Sequence, residues 1–261
     1  MKETLLIKTG GKVAVEGLEL TSLIQEIKTL KSNYNFILVH GGGAEVTAAS
    51  KIYGYKTEFV NGVRMTSKLE MLLVDGVLAG TVNKRLVRNF ESQGVKAVGL
   101  SGNDGKLFTG VTKDSSKNNR TGKVTKTDTN LIKILLENSY TPIVSSVSME
   151  ESGEPLNINA DEAALAISED LKVDKLIFIS DIPGILKDGE ILHEMTPTSI
   201  SKEIEEGVIS GGMIPKVDAS VKALNKGVKS VVISNYLKSG DLLKLIENSK
   251  GSKITLEKEC L

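Results

Sequence analysis

The sequence holds one cysteine, Cys260, so neither a disulfide framework nor a thiolate metal site can form within the chain. Lys+Arg and Asp+Glu both total 33, which leaves no basic excess to attract nucleic acid and no like-charge block that reads as a tail. No apolar run approaches the ~18 residues needed to cross a bilayer. The opening "MKETLLIKTGG" has an apolar run too short for the core of a signal peptide. These absences lead to the expectation of a cytoplasmic protein with no nucleic-acid and no membrane partner. Several phosphate and nucleophile motifs are also missing. There is no G-x-x-x-x-G-K-[ST], no G-x-G-x-x-G and no G-x-S-x-G, which excludes a Walker-type loop, a dinucleotide fingerprint and a hydrolase elbow.

What is present is an ordinary globular mixture, 40% hydrophobic and 25% charged over 261 residues, enough for one large α/β domain or two lobes sharing a sheet. Short apolar, β-branched runs at 4–8, 36–40, 96–101, 141–147, 175–180 and 230–234 read as strands buried on both faces. Helical patterns fill the intervals: 18–31, a long 67–93 opened by the capping pair Ser67 and Glu70 and closed by Gly94, then 128–138, 159–171, 197–206, 213–226 and 240–248. Such alternation predicts a three-layer αβα sandwich around an open, mainly parallel sheet. The polar, glycine-punctuated segment 103–126 reads as hairpins or a flap.

Three glycine-rich loops follow strands or enter helices: "KTGGK" (8–12), "HGGGAE" (40–45) and "ISGGMIPK" (209–216). Any one could be a tight connection. Together they suit anion binding, because glycines let the backbone approach a phosphate and a helix N-terminus offers free N–H groups. Of the two histidines, His193 lies in a charged stretch and reads as a surface residue. His40 ends a buried strand and reads as a packing or loop-orienting residue. Arginine is scarce, with only Arg64, Arg85, Arg88 and Arg120. Arg85 and Arg88 on the long helix are expected to face solvent. Arg64, in a loop before a helix, could grip a carboxylate in bidentate fashion.

Eight strings in order, "IKTGG" (7–11), "VHGGG" (39–43), "NGVRMT" (61–66), "LAGTVNK" (78–84), "VGLSGNDG" (98–105), "LNINADEAA" (156–164), "ISDIPGIL" (179–186) and "ISGGMIPKV" (209–217), resemble the amino acid kinase family over nearly the whole chain. The resemblance implies phosphoryl transfer from ATP, carried with Mg²⁺ held mainly by the nucleotide phosphates, to the side-chain carboxylate of N-acetyl-L-glutamate. It makes Lys8 and Lys216 the cations flanking the transferring group and Asp161 the residue that holds both. Gly41, Gly42, Arg64 and Asn157 are implied substrate contacts. Gly10, Gly11, Gly43, Asp181, Ile182, Pro183, Gly184, Ile185, Leu186, Ile209, Ser210 and Gly211 are implied to bind phosphate or nucleotide, and no protein metal site is expected. The resemblance divides the chain into an amino-acid-binding, dimerising lobe (1–172) and a nucleotide lobe (173–261). It implies a homodimer through the 67–93 helix. Because "MKE" is too short for the extra helix of arginine-sensitive relatives, insensitivity to arginine is expected as well. Related acceptors, such as carrier-bound aminoadipate or glutamate, and a silent nucleotide-binding regulator stay open as alternatives.

Overall fold

The protein is described by a computed structural model at residues 2–10, 17–60, 63–114 and 118–257. Among the described residues an eight-stranded sheet runs in the spatial order 194–195, 252–254, 231–234, 175–179, 3–9, 34–40, 141–145, 97–100. Every neighbouring pair is parallel except 231–234 with 252–254.

The apolar runs predicted as strands are the central strands, and side-chain alternation explains why they are apolar throughout. Leu6, Ile37, Val39 and Phe178 point to one face, where they pack with Ala163, Ala164, Ile167, Val217 and Leu224 of the helices Ala160–Leu171 and Met213–Asn225. Leu5, Ile7, Phe36, Leu38 and Ile177 point to the other. There they meet Leu20, Leu23, Ile24 and Ile27 of Leu18–Leu30, and Leu86 and Phe90 of Asn83–Ser92. Three layers result, as the strand–helix alternation predicts.

Several boundaries differ from the sequence reading. The run at 141–147 breaks at Ser146. Thr141–Ser145 stays in the main sheet, while Val147–Met149 joins a separate four-stranded sheet with Phe108–Thr112, Gly122–Thr127 and Pro155–Asn157. Segment 103–126 is thus built around an antiparallel pair, 108–112 with 122–127. The 67–93 helix is three pieces: α-helical Lys68–Asp75, π-helical Gly76–Val82, and α-helical Asn83–Ser92. Ser67 caps it by accepting from the Glu70 amide at 3.2 Å, but the Glu70 carboxylate does not complete the capping box. It turns inward to accept from Ser50 Oγ at 3.1 Å and to pair with Arg64. Gly94 ends the helical run with φ 78°, a left-handed conformation that glycine adopts without strain. Among the described residues no helix is long and apolar enough to cross a membrane.

Candidate active site

Period-two alternation puts Lys8 on the same face of its strand as Leu6, toward the helices Ala160–Leu171 and Met213–Asn225. In register beside it lies Phe178. The first of those helices sends Asp161 to meet Lys8, and the second sends Lys216 to the same carboxylate. Asp161 sits in the first turn of its helix, whose N-cap Asn159 accepts from the Asp161 amide at 2.8 Å. Its Oδ1 lies 2.6 Å from Lys8 Nζ and its Oδ2 3.2 Å from Lys216 Nζ. The Lys216 ammonium also stands 5.3 Å from the centroid of the Phe178 ring. Burial pushes the Asp161 carboxyl up, but the two ammonium groups outweigh it and hold the net shift below the ordinary value. One carboxylate therefore bridges two cations drawn from residues 8 and 216.

Two cavities flank this cluster. The first, about 190 Å³, is lined by Gly41, Gly42, Gly43, Arg64, Ser146, Asn157 and Asn159, with Val74 and Leu78 among its apolar wall. The second, about 480 Å³, is lined by Asp161, Phe178, Gly212, Pro215, Lys216 and Lys113. Both touch Val63 and Asn159, so the two adjoin beside Asp161; Asp161 and Lys216 line the second, and Lys8 stands behind Asp161 without lining either. The helices Gly43–Ile52 and Met213–Asn225 begin at Gly42 and Gly212 with no side-chain cap. In the second, the Met213 and Ile214 amides already donate to Ser210 O at 3.2 Å and Gly211 O at 3.3 Å and Pro215 has no N–H, so the helix at Gly43 is the one that offers first-turn amides to an anion.

The glycines do not all do one thing. A Cβ on Gly42 would lie 2.7 Å from Leu78 Cδ2, so its want of a side chain is explained by the protein's own packing. Gly43 faces open space, Gly41 has only Ala160 Cβ at 3.4 Å, and a Cβ on Gly10 would meet Lys8 Nζ at 3.4 Å. Gly11 lies outside the described residues.

Asn157 lines the first cavity and donates to Thr66 Oγ1 at 2.9 Å. Arg64 lines it too, but its fork is already occupied. Nη1 donates to Thr57 Oγ1 at 3.2 Å and to Glu70 Oε1 at 3.5 Å, while Nη2 donates to Gly43 O at 3.2 Å and to Thr47 Oγ1. Phe59 stacks on the guanidinium at 4.9 Å. Burial lowers the Arg64 pKa from its usual value, with Glu70 acting the other way.

The predicted nucleotide residues are more dispersed. Ile185 and Ile209 are buried in the core, so only their backbones could contact a ligand. Gly184 packs against Ile191 and Ser252, and Pro183 O accepts from Ser234 Oγ at 3.1 Å. Asp181, Leu186, Ser210 and Gly211 are exposed and Ile182 is half-buried. The second cavity is lined by the predicted Asp161 and Lys216, by Gly212 and Pro215 of the glycine loop 209–216, and by Phe178, which the sequence reading did not single out. Phe178 gave no signal because it sits inside an apolar run. Ser146, Glu70 and Asn83 were likewise missed. Arg85, expected to face solvent, pairs with Glu45 at 2.7 Å with its side chain 17% exposed. His193 is exposed, as expected.

His40 is fully buried, and burial pushes its pKa down to about 4. Unfolded, it would titrate near 6.5, so between those values the unfolded chain binds a proton that the folded chain refuses. Stability should therefore fall by about 3 kcal/mol as the pH drops through that window, on top of any carboxylate effects. Urea unfolding at several pH values would show the slope, and His40→Asn should remove it. An unchanged slope in that variant would assign the effect to other groups.

Comparison with known proteins agrees with this geometry. The profile described as "Amino acid kinase family" matches residues 3–235. A Bacillus licheniformis protein named acetylglutamate kinase is 37% identical over 266 residues, covering 100% of each chain. The Bacillus subtilis protein of the same name is 39% identical, covering 90% of this chain and 91% of its own. Among solved structures, smu.665 from Streptococcus mutans superposes with a TM-score of 0.81 at 29% identity, covering 98% of this chain and 100% of its own. The Giardia carbamate kinase shares the fold, with a TM-score of 0.70 at 14% identity over 98% of this chain and 99% of its own. By the extent of these matches, the chain belongs to the amino acid kinase family.

Proposed function

We propose that this protein transfers the γ-phosphoryl group of ATP to the side-chain carboxylate of N-acetyl-L-glutamate, the second step of arginine biosynthesis. The observation that carries the reading is the single carboxylate bridging Lys8 and Lys216, set in the wall of the larger of two adjoining cavities. The acceptor carboxylate is ionised at neutral pH, so no general base is required. One of its oxygens attacks the γ-phosphorus, the bond to the bridging β,γ-oxygen breaks, and ADP leaves with that electron pair. The obstacle is an anion approaching a polyanion. Lys8 and Lys216 neutralise the charge spread over the transferring oxygens, while Asp161 keeps both ammonium groups in position. Magnesium bound with the nucleotide would offset part of the phosphate charge, and among the described residues no cluster of three carboxylate, histidine or cysteine side chains stands ready to hold it. Amides of Gly10, Gly41, Gly42 and Gly43 contribute further donors.

Acetylglutamate fits the smaller cavity, where Arg64 meets its α-carboxylate and Asn157 helps fix its orientation. The nucleotide takes the second cavity and the segments 181–186 and 209–211, which gives the lobes 1–172 and 173–261 their separate tasks. A homodimer through the helical run 68–92 belongs to the same reading, supported by Leu69 and Leu72, 69% and 76% exposed on that run. Light scattering should return the mass of two subunits, and Leu72→Glu should halve it. A wild-type mass of one or six subunits would count against this interface.

The reaction is tested by coupled ADP release with a panel of acceptors, trapping the acyl phosphate with hydroxylamine. ADP release and hydroxamate should depend on N-acetyl-L-glutamate. Equal or better turnover with aminoadipate, glutamate, aspartate or carbamate would reassign the acceptor, and no turnover with any would favour a silent regulator.

A further inference from the structure

The strand Tyr34–His40 points Phe36, Leu38 and His40 to the face opposite the Lys8–Asp161 cluster, so the His40 ring lies beneath the glycine loop rather than in the cavity. The helix Asn83–Ser92 covers this face and presents Asn83, fully buried, to the ring. Asn83 Nδ2 lies 2.8 Å from Ile143 O and 3.3 Å from Leu100 O. Both are carbonyls, which only accept, so that atom is the amide nitrogen. Lys84 Nζ, 3.2 Å from Oδ1, agrees. The third neighbour of Nδ2 is His40 Nε2 at 3.0 Å, which must therefore carry a lone pair. The ring's hydrogen then sits on Nδ1 and is donated to Gly41 O at 2.8 Å.

We infer that Asn83 and His40 form a positioning relay that sets the orientation of the Gly41–Gly42 peptide. A planar trans peptide directs its carbonyl and its N–H to opposite sides. With Gly41 O drawn back onto His40, the Gly42 amide N–H is turned the opposite way, and Gly42 is part of the cavity wall. Glycine on both sides of that peptide makes it easy to rotate, so something must hold it. A neutral ring in one tautomer suits this task, because it neither adds charge near Lys8 nor offers a lone pair to the carbonyl. Protons on both ring nitrogens would set Nε2–H against the Asn83 amide hydrogens. The inference rests on the functional reading above only for its effect on catalysis; the tautomer is independent of it.

Two measurements test the relay on the full chain. Nitrogen-15 NMR of the wild-type protein should show His40 as the neutral Nδ1–H tautomer, with no titration between about pH 5 and 8. In kinetics with N-acetyl-L-glutamate and ATP, His40→Leu removes the donor and should lower kcat roughly 10²-fold, as loss of an oriented oxyanion donor does. His40→Asn, whose amide N–H can stand in for Nδ1–H, should recover most of that loss, while His40→Gln, which replaces Nε2, should not. Asn83→Leu should shift the NMR tautomer population, a change that packing damage alone would not produce. An Nε2–H tautomer in the wild type, or equal activity of the Leu, Gln and Asn variants, would overturn the relay and leave the kinase reading standing. Wild-type inactivity toward every acceptor would sink the kinase reading and leave the tautomer result intact.

Discussion

Lys8→Ala and Lys216→Ala should each lower kcat by roughly 10²–10³ while the KM for either substrate changes only a few-fold, because cations matched to charge in the transition state act on the chemical step. Asp161→Asn should be at least as damaging. It keeps the shape but removes the charge that Lys8 approaches at 2.6 Å and Lys216 at 3.2 Å. The two ammonium groups then lose the anion that holds them together and repel each other out of position. Since the three side chains work as one unit, the effects should not add. Lys8→Ala combined with Asp161→Asn should cost little more than the worse single change. A double-mutant cycle on kcat checks this. Near wild-type turnover in either lysine variant would remove it from the mechanism, and fully additive losses would show that Asp161 does not act through the lysines.

The two lysines stood out in the sequence through their backbone setting, whereas the bridging role of Asp161 came from the family resemblance. Lys8 closes an apolar strand before glycines, Asp161 follows an N-cap asparagine, and Lys216 follows a glycine loop. The central strands were equally legible, since burial on both faces demands unbroken apolar runs and few other requirements produce them. Short strands such as Glu194–Met195 at the sheet edge and Ser252–Ile254 beside it were not, because a strand of two or three residues is fixed by its neighbours and not by its own pattern. Ser146 looked like one more residue in an apolar run. In fact it is where the chain leaves one sheet for another. The π-helical turn at Gly76–Val82 also escaped, since its extra residue per turn changes which side chains face the cavity without changing composition. Glu70 illustrates a local rule losing to a tertiary one. A capping box predicts its carboxylate at the helix start, but the buried Arg64 guanidinium pulls it inward, where an unpaired charge would cost far more than a missing cap. The Asn83–His40 contact joins residues 43 positions apart, and nothing in either one's neighbourhood signals the other.

Arg64 reads in the sequence as a candidate carboxylate ligand, and on the proposed function its existing partners set a condition on how the acceptor can dock. All four Nη hydrogens already have acceptors: two threonine hydroxyls, the Glu70 carboxylate and the Gly43 carbonyl. A side-on carboxylate needs Nε–H and one Nη–H, so binding must displace one of these acceptors. Thr47 and Thr57 are the cheapest to displace, because a hydroxyl turns away by a single χ1 rotation whereas Glu70 and the backbone cannot leave without exposing a buried charge or breaking the loop. Arg64→Lys keeps the charge but supplies three donors from one point, too few and too clustered to hold Glu70, Gly43 and a carboxylate together. The KM for N-acetyl-L-glutamate should rise roughly 10- to 100-fold, consistent with losing one charge-assisted hydrogen bond of about 1.5–3 kcal/mol, while the KM for ATP stays nearly constant. Thr47→Val provides the opposite sign. With the competing hydroxyl gone, the guanidinium is freer to pair with the incoming carboxylate, and the acceptor KM should fall or hold steady. Steady-state kinetics on both variants, with each substrate varied in turn, decide the matter. An effect of Arg64→Lys confined to ATP would take Arg64 out of the acceptor cavity's chemistry, and with it the main reason for assigning an α-carboxylate there.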